Sequence, residues 1–223
     1  MHLYDVTDKT VVVVDILRAT SCMTTALAHG IDGIIPVATL EEALTAKSAR
    51  VFTAGERDGK KVDGFDLGNS PFEYMEENLK GKTIAFTTTN GTQAIVKSLG
   101  AREIIIGSFL NLAAVVRYLE NGKDNILIVC AGWKGKFNLE DTLFAGAVVE
   151  ALQRTIEPAC DAPLAAMQLY RSAKHDLNDA LKNSSHVKRL ARLGIHKDIA
   201  FCLTPNQYQV VPVLKDGVLI PAP

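Results

Sequence analysis

Short apolar runs alternate with amphipathic segments along most of the chain. The run Val11-Val12-Val13-Val14 is apolar at every position, which is typical of a strand buried on both faces of a parallel sheet. The pattern predicts seven strands, at 10–15, 33–37, 50–54, 83–87, 103–106, 125–131 and 199–203. A C-terminal hairpin is predicted over 209–220, turning at Asp216-Gly217.

Helices are predicted between these strands, at 21–29, 40–46, 71–78, 92–98, 111–120, 141–155, 163–182 and 186–192. The helix from residue 71 has the clearest start, because Ser70-Pro71-Phe72-Glu73 offers an N-cap, a first-position proline and a capping-box glutamate. The alternation predicts the α/β class, as a three-layer α/β/α fold with a mixed, largely parallel sheet. We expect one domain over 1–223; two similar lobes would divide near 157–163.

Length and charge narrow the function classes. The chain has 223 residues, of which 48% are hydrophobic, and a formal net charge of −1. It can therefore bury a full core, but it has no general attraction to nucleic acid or anionic membranes. No signal peptide or bilayer-length apolar run is visible, so a cytoplasmic location is expected. The four cysteines form no C-x-x-C pair, so neither a zinc cage nor a disulfide framework is indicated.

The segment 15–21 is the richest in candidate chemistry. Asp15, Arg18, Thr20 and Ser21 place an acid, a guanidinium and two hydroxyls where the first strand ends. Ligands of open α/β sheets bind beyond the carboxyl ends of strands, where the next helix directs free N–H groups. The plain alternative is a helix capped by Thr20 or Ser21 with one surface ion pair.

Polar clusters follow three further predicted strands. They are Gly55-Glu56-Arg57 with the loop 64–71 that contains Asp66, the run Thr87-Thr88-Thr89-Asn90-Gly91-Thr92, and the segment 130–136 followed by Glu140 and Asp141. The second cluster suits a phosphate or a sulfonate, although an Asn-Gly turn with helix capping explains it nearly as well. Paired acids at a helix start complement the helix dipole, and they are also ligands that Mg²⁺ uses.

A last cluster lies far along the chain. Ser184-Ser185-His186 with Arg189, followed by Asp198, could reach the same crevice. A capped helix with an exposed histidine is the stronger interpretation of these residues.

Familiar phosphate-handling motifs are absent from the sequence. It contains no G-x-x-x-x-G-K-[ST] loop and no G-x-G-x-x-G after a strand. Cys130 is followed by lysines rather than by the arginine that a cysteine phosphatase needs. Leu17 stands two positions after Asp15, where a haloacid-dehalogenase phosphatase has a second aspartate.

The clusters, in this order, resemble the 2-phosphosulfolactate phosphatases. The resemblance rests on 15–21, 55–57 with 64–71, 87–92 and 131–141, and it extends to 185–190 and 198–202. It implies a Mg²⁺-dependent hydrolase that releases phosphate from (2R)-2-phospho-3-sulfolactate, a step towards coenzyme M, on an α/β/α layered fold.

Roles follow from chemistry together with this resemblance. Mg²⁺ would be held by some of the acids Asp15, Glu56, Asp66, Glu140 and Asp141. The predicted catalytic residues are Asp15, Arg18, Glu140 and Asp141, with Arg18 clamping phosphate oxygens. The predicted substrate-binding residues are Arg18, Thr20, Ser21, Arg57, Thr88, Thr89, Asn90, Gly91 and Thr92. Arg57, Lys134 and Arg189 are candidate cations for the rest of a polyanionic substrate.

Several alternatives stay open at this point. Water could attack phosphorus directly, or Asp15 could form a phosphoaspartate; direct attack is favoured because the dehalogenase pattern fails. The substrate could be another 2-phosphorylated hydroxy acid, or the chain could bind a polyanion without turnover. The expected partner is a small polyanionic substrate, with no nucleic acid or membrane, and a homodimer is conceivable.

Overall fold

The computed structural model describes residues 4–223, and its strands form one mixed sheet. The nine strands found in that range are β1 (Lys9–Val14), β2 (Gly33–Pro36), β3 (Val51–Arg57), β4 (Lys60–Lys61), β5 (Thr83–Thr87), β6 (Glu103–Gly107), β7 (Asn125–Cys130), β8 (Pro212–Lys215) and β9 (Val218–Pro221). Their order across the sheet is β4-β3-β5-β2-β9-β8-β6-β1-β7.

Helices cover both faces of this sheet, so the predicted α/β class is confirmed. The α-helices of the described residues are α1 (Ala19–Ala28), α2 (Leu40–Ala46), α3 (Gly91–Lys97), α4 (Leu112–Asn121), α5 (Leu139–Leu152), α6 (Asp161–Ala173), α7 (Leu177–Leu181), α8 (Ser185–Arg192) and α9 (His196–Cys202). Three 3₁₀ turns lie at Pro71–Met75, Glu77–Leu79 and Phe109–Asn111. No helix within 4–223 is long and apolar enough to cross a bilayer.

The sheet joins two parallel groups of strands through the C-terminal hairpin. The groups are β3-β5-β2 and β6-β1-β7, and β9 and β8 pair antiparallel between them. The three successive antiparallel pairings are β2–β9, β9–β8 and β8–β6. The strands of one parallel group therefore run antiparallel to those of the other. The hairpin turns at Asp216 (φ 49°) and Gly217 (φ 80°), as predicted, since both positions of this turn need positive φ.

Alternate residues of β1 enter two different cores, which is why its run of valines is uninterrupted. Val12 and Val14 pack with α4, α5 and the helices that follow α5. Val11 and Val13 pack around α1 together with residues of β5, β6 and α3. Every residue of α1 from Ala19 to Leu27 is buried, so α1 is enclosed by both groups of strands. This packing brings the carboxyl ends of β1 and β5 together.

Two predicted elements have a different secondary structure. Residues 199–203, predicted as a strand, belong mostly to α9, where Ile199 and Cys202 are buried one turn apart. A short apolar run fits a strand or a buried helical turn equally well, so hydrophobic periodicity could not distinguish the two. The single helix predicted over 163–182 is two helices, because Asp176 accepts a hydrogen bond from Asp179 N (2.9 Å) and starts α7 there.

The α-helix predicted from residue 71, with Ser70 as its N-cap, is also wrong. The Ser70 side chain makes no capping bond, and Glu73 accepts a hydrogen bond from Gly68 N (2.8 Å). The segment therefore forms two 3₁₀ turns, with Pro71 at the first position, and no α-helix.

The segment 157–163, where two lobes would divide, connects α5 to α6 and includes the first residues of α6. These two helices approach closely, since a Cβ added at Gly146 would lie 2.0 Å from the carbonyl oxygen of Ala166.

Candidate active site

A pocket lies where loops after β1, β3, β5 and β7 meet α8. Its walls are formed by Asp15, Leu17, Arg18, Glu56, Asp58, Gly59, Asn69, Thr89, Asn90, Trp133, His186, Arg189 and Leu190. Four of the strand-exit clusters noted in the sequence therefore meet in one place. They come from both parallel groups of the sheet, which pack on the shared helix α1.

Asp15 begins the turn between β1 and α1, and backbone and hydroxyl contacts fix this turn. Asp15 N donates to Thr20 Oγ1 (3.0 Å), and Ser21 Oγ donates to the carbonyl of Ile16 (2.8 Å). Thr20 and Ser21, which the sequence predicts as substrate-binding residues, are fully buried and are not among the residues that line the pocket. Neither caps α1, whose N-cap residue is Arg18.

The Asp15 carboxyl group lies in a crowded, buried environment. Its pKa is raised to about 7, first by burial and then by the negative charges of Glu56 and Glu140, while His186 opposes the rise. The approach of the first residue of α3 to this group requires glycine, because a Cβ at Gly91 would lie 2.8 Å from Asp15 Oδ2. Gly91 therefore permits the close packing of the two loops.

Asp141 holds two pocket loops together through its carboxylate. Oδ1 accepts a hydrogen bond from Ile16 N (2.9 Å) and Oδ2 accepts one from Gly132 N (3.1 Å). Burial raises its pKa well above the usual range, and Glu140 and Asp15 add to the rise. Because both oxygens are engaged by backbone N–H groups, Asp141 connects the loops after β1 and β7.

Glu56 holds the loops after β3 and β5 together through both oxygens of its carboxylate. Oε1 accepts from Thr89 N (3.1 Å), and Oε2 accepts from Gly59 N (2.7 Å). Glu56 borders the pocket, but its two oxygens already bind the backbone. Its main contribution is therefore to fix the two loops relative to each other.

Glu140 and His186 form a buried pair. Glu140 Oε1 contacts His186 Nδ1, while Glu140 Oε2 is buried without a hydrogen-bond partner among the described residues. His186 is only 7% exposed and borders the pocket, so its predicted exposure is wrong. Ser184 caps α8 by accepting from Val187 N (3.1 Å), and this start turns His186 inward. Nε2 is the ring nitrogen left for a ligand.

Arg18 borders the pocket and is already paired. Its Nη1 forms a buried salt bridge with Asp198 on α9, and Nη2 donates to the carbonyl of Gly59 (3.2 Å). This ion pair joins residues 180 positions apart and attaches α9 to the start of α1. Arg18 is therefore held rigidly at the pocket wall.

Asp66, predicted as a candidate metal ligand, does not border the pocket, and both of its carboxylate oxygens accept hydrogen bonds elsewhere. Oδ2 accepts from Thr53 N and Thr53 Oγ1 (both 2.8 Å), and Oδ1 accepts from Lys47 Nζ (2.7 Å). Although burial alone would raise its pKa, the bonds from Lys47 and Thr53 lower it. Asp66 anchors its loop to β3.

Three further predicted substrate-binding residues are engaged within the protein. Arg57 donates to the carbonyl of Glu56 (2.7 Å) and to Thr87 Oγ1 (3.2 Å), and it does not border the pocket. Thr88 and Thr92 bond each other reciprocally at the start of α3. From this cluster, Thr89 and Asn90 reach the pocket.

Asn69 and Trp133 were not predicted as site residues. Asn69 Oδ1 is buried without a hydrogen-bond partner among the described residues, and the side chain borders the pocket. Its position in Gly68-Asn69-Ser70-Pro71, within a long glycine-rich loop, was the available signal. Trp133 is the single tryptophan of the chain and follows a strand exit.

The pocket acids suit a hard cation. Within 4–223, no group of three or more His, Cys, Asp or Glu side chains is spaced as a ready metal cage. Mg²⁺ commonly takes only one or two carboxylates and completes its octahedron with water and phosphate oxygens. Asp15, which borders the pocket and has a raised pKa, and the neighbouring Glu140, which has an unpartnered Oε2, fit that requirement. A divalent cation would compensate the negative charge that Glu56 and Glu140 concentrate around Asp15.

Comparisons with known proteins cover nearly the whole chain. A family model described as 2-phosphosulpholactate phosphatase matches residues 1–217. A probable 2-phosphosulfolactate phosphatase of Thermotoga maritima is 50% identical over 212 residues, which are 95% of this chain and 92% of the relative. Proteins with the same name from Caldanaerobacter subterraneus subsp. tengcongensis (45% over 220 residues, 96% and 91% coverage) and Clostridium acetobutylicum (39% over 222 residues, 96% and 93%) are also similar.

Proposed function

The chain belongs to the 2-phosphosulfolactate phosphatase family and is a phosphoric monoester hydrolase, and we propose that it hydrolyses (2R)-2-phospho-3-sulfolactate to 3-sulfolactate and phosphate with Mg²⁺. The observation that carries this proposal is the buried acid group of the pocket. Asp15 borders the pocket and has no salt bridge within residues 4–223, and Glu140, whose charge acts on Asp15, has a buried Oε2 without a hydrogen-bond partner in that range; an arginine and a histidine line the same pocket. A site that only bound anions would have no use for these buried negative charges.

Asp15 and Glu140 are the residues that would hold the cation. When bound, Mg²⁺ polarises a phosphate oxygen and lowers the pKa of a bound water molecule. Glu56 and Asp141 support the site by fixing the loops that carry Asp15, Thr89 and Trp133. This division assigns two of the five acids predicted from the sequence to metal binding.

His186 and Arg18 supply the remaining chemistry. Glu140 holds His186 through Nδ1, so Nε2 would carry the proton for the leaving alkoxide oxygen. Arg18, fixed by Asp198, would place its remaining N–H groups against phosphate oxygens as negative charge develops there. We infer that water attacks phosphorus directly, because the second aspartate of dehalogenase phosphatases is replaced by Leu17.

The pathway, the cellular location and the oligomeric state of the protein are also proposals. The product would serve a route towards coenzyme M, in the cytoplasm. A homodimer is the assembly to test, by light scattering.

The proposed function is tested by measuring phosphate release from a panel of substrates. The panel is 2-phospho-3-sulfolactate, 2-phospholactate and 4-nitrophenyl phosphate, each with excess chelator and then with Mg²⁺ restored. We expect the phosphosulfolactate to be hydrolysed best, chelator to abolish activity and Mg²⁺ to restore it. Asp66→Asn is the matched control, because this acid lies outside the pocket and the variant should stay active.

Three results would contradict separate parts of the proposal. Full activity in excess chelator would remove the metal assignment. Absence of phosphate release from every substrate would favour a polyanion-binding protein, and a preference for 2-phospholactate would favour another 2-phosphorylated hydroxy acid.

A further inference from the structure

The arginine and lysine side chains around the pocket differ in whether a protein group already satisfies them. Arg18 is paired with Asp198, and Arg57 donates to the carbonyl of Glu56 and to Thr87. Lys134 Nζ lies 3.2 Å from Asp58. Arg189 borders the pocket, and within residues 4–223 its guanidinium has no carboxylate or hydrogen-bond partner. It is therefore the arginine of the pocket wall that is not paired with a carboxylate of the protein, so its whole guanidinium is available to a ligand.

An aromatic ring fixes the position of this guanidinium. Arg189 Cζ lies 4.8 Å from the centroid of the Trp133 ring, a cation–π contact that leaves the N–H groups around the edge of the guanidinium plane available. Trp133 is itself held by a tight turn, in which Trp133 N and Lys136 N each donate to the other's carbonyl (both 2.9 Å). The donors are thus oriented before any ligand arrives.

The helix α8 places this cation beside the catalytic end of the pocket. His186 and Arg189 are three residues apart, so they lie on the same face of α8, about 5–6 Å apart at Cβ. His186 contacts Glu140, which with Asp15 forms the acid cluster of the site. Arg189 lies one helical turn further along α8. A phosphate ester at the acid cluster would therefore direct a neighbouring substituent towards Arg189.

We propose that Arg189, held against Trp133, is the specificity-determining residue that binds one of the two further oxyanions of the substrate, the carboxylate or the sulfonate near the phosphorylated carbon. This inference rests on the proposed function and adds to it the recognition of the non-phosphate end. A planar guanidinium can bind two oxygens of a sulfonate or carboxylate at once. The chain is nearly neutral and has no general attraction for polyanions. A local cation such as Arg189 is therefore needed to attract the non-phosphate oxyanion of the substrate.

Substrates with and without a second oxyanion test this role. We would compare wild type, Arg189→Ala and Arg189→Lys on 2-phospho-3-sulfolactate and on 4-nitrophenyl phosphate, which lacks a second anion. Arg189→Ala should lose about 10- to 100-fold in kcat/KM on the first substrate, mainly through KM, and less than about twofold on the second. Arg189→Lys should be intermediate, because it keeps the charge but loses the planar fork.

Matched controls separate this role from folding and from total charge. Arg192→Ala removes an exposed arginine of the same helix that does not border the pocket, and it should leave the hydrolysis of both substrates unchanged. Thermal melting checks that each variant is folded. Hydrolysis of 2-phospholactate and of the phosphate ester of 2-hydroxyethanesulfonate tells whether the carboxylate or the sulfonate is bound, since only one should depend on Arg189.

A binding measurement distinguishes failure of this inference from failure of the proposed function. Calorimetry with 3-sulfolactate, which has both oxyanions and no phosphate, should show binding to wild type and about 10- to 100-fold weaker binding to Arg189→Ala. Equal losses on both substrates, or no loss on either, would overturn the role of Arg189 while leaving the phosphatase in place. Arg189-dependent binding without any hydrolysis would overturn the phosphatase and keep the oxyanion site.

Discussion

Replacing Asp15 by asparagine should stabilise the metal-free protein at alkaline pH. The pKa of Asp15 is raised from 3.8 to about 7, chiefly by burial, so its ionised form is unfavourable in the folded state. Asparagine has nearly the same shape and keeps an oxygen that can accept the hydrogen bond from Ala19 N. It carries no charge among Glu56 and Glu140, so the penalty disappears with the carboxylate.

The sign and size of the effect follow from proton linkage. Below pH 3.8 Asp15 is protonated in both states and contributes no penalty. Between 3.8 and about 7 the unfolded chain releases this proton while the folded protein retains it, so stability falls as pH rises. Each pKa unit is worth about 1.4 kcal/mol, which gives a full penalty of about 4 kcal/mol above pH 7. From pH 5 to pH 8 the advantage of Asp15→Asn should grow by about 2–3 kcal/mol.

Urea unfolding in excess chelator, at pH 5 and pH 8, measures this difference. Asp66→Asn is the control of opposite sign, because the pKa of Asp66 is lowered by Lys47 and Thr53 and its ionised form stabilises the fold. That variant should be less stable than wild type by the same amount at pH 5 and pH 8, because Asp66 titrates below 3.8 and is ionised in both the folded and the unfolded state at these pH values. If the gap between Asp15→Asn and wild type is the same at both pH values, Asp15 is not a strained buried acid and the reasoning is refuted.

Glu56→Gln should destabilise the protein by about 1–3 kcal/mol in thermal melts, because one of two backbone N–H donors would face an amide NH₂ in place of an oxygen; an unchanged melt would show that these bonds contribute little. Arg18→Lys should lower kcat/KM by about tenfold to a thousandfold, since one ammonium cannot replace a bidentate contact. It should also lower thermal stability, because the buried Asp198 loses its fitted partner, and a variant that is fully active and equally stable would contradict both statements. Gly91→Ala should cost about 1–3 kcal/mol and most of the activity, because the new methyl group would lie 2.8 Å from Asp15 Oδ2; urea unfolding and phosphate release check the two parts, and retention of both would mean that the loops separate easily.

Local pattern was sufficient for most of the secondary structure. The buried strand β1 and the helix α2 lie within one residue of their predicted bounds, and the C-terminal hairpin turns at Asp216-Gly217 as predicted, since each depends on neighbouring residues alone. Residues 199–203 show the limit of this reasoning. Their apolar run fits either a strand or a helical turn, and α9 is stabilised by contacts such as the ion pair of Asp198 with Arg18, which the sequence does not display.

The sequence also indicated which segments carry the chemistry, because acids, hydroxyls and glycines after strands are local features. It could not say which acids are free. Asp141, Glu56 and Asp66 have the same chemistry as Asp15, yet the structure shows their oxygens engaged by backbone N–H groups or by Lys47. The opposite error concerned His186, whose burial beside Glu140 depends on a contact across 46 positions.

The amino-acid sequence by itself determined the α/β class, the family and the strand-exit clusters, since periodicity and motif order are properties of neighbouring residues. The tertiary structure decided how these clusters combine. Hairpin β8–β9 reverses the sheet between the two parallel groups, and the enclosed helix α1 brings their loops together. Which carboxylate oxygens stay unpaired and which fix a loop then depends on donors supplied by distant segments, such as Ile16 N for Asp141, 125 positions away. Hydrogen-bond partners of this kind exist only after the chain has folded.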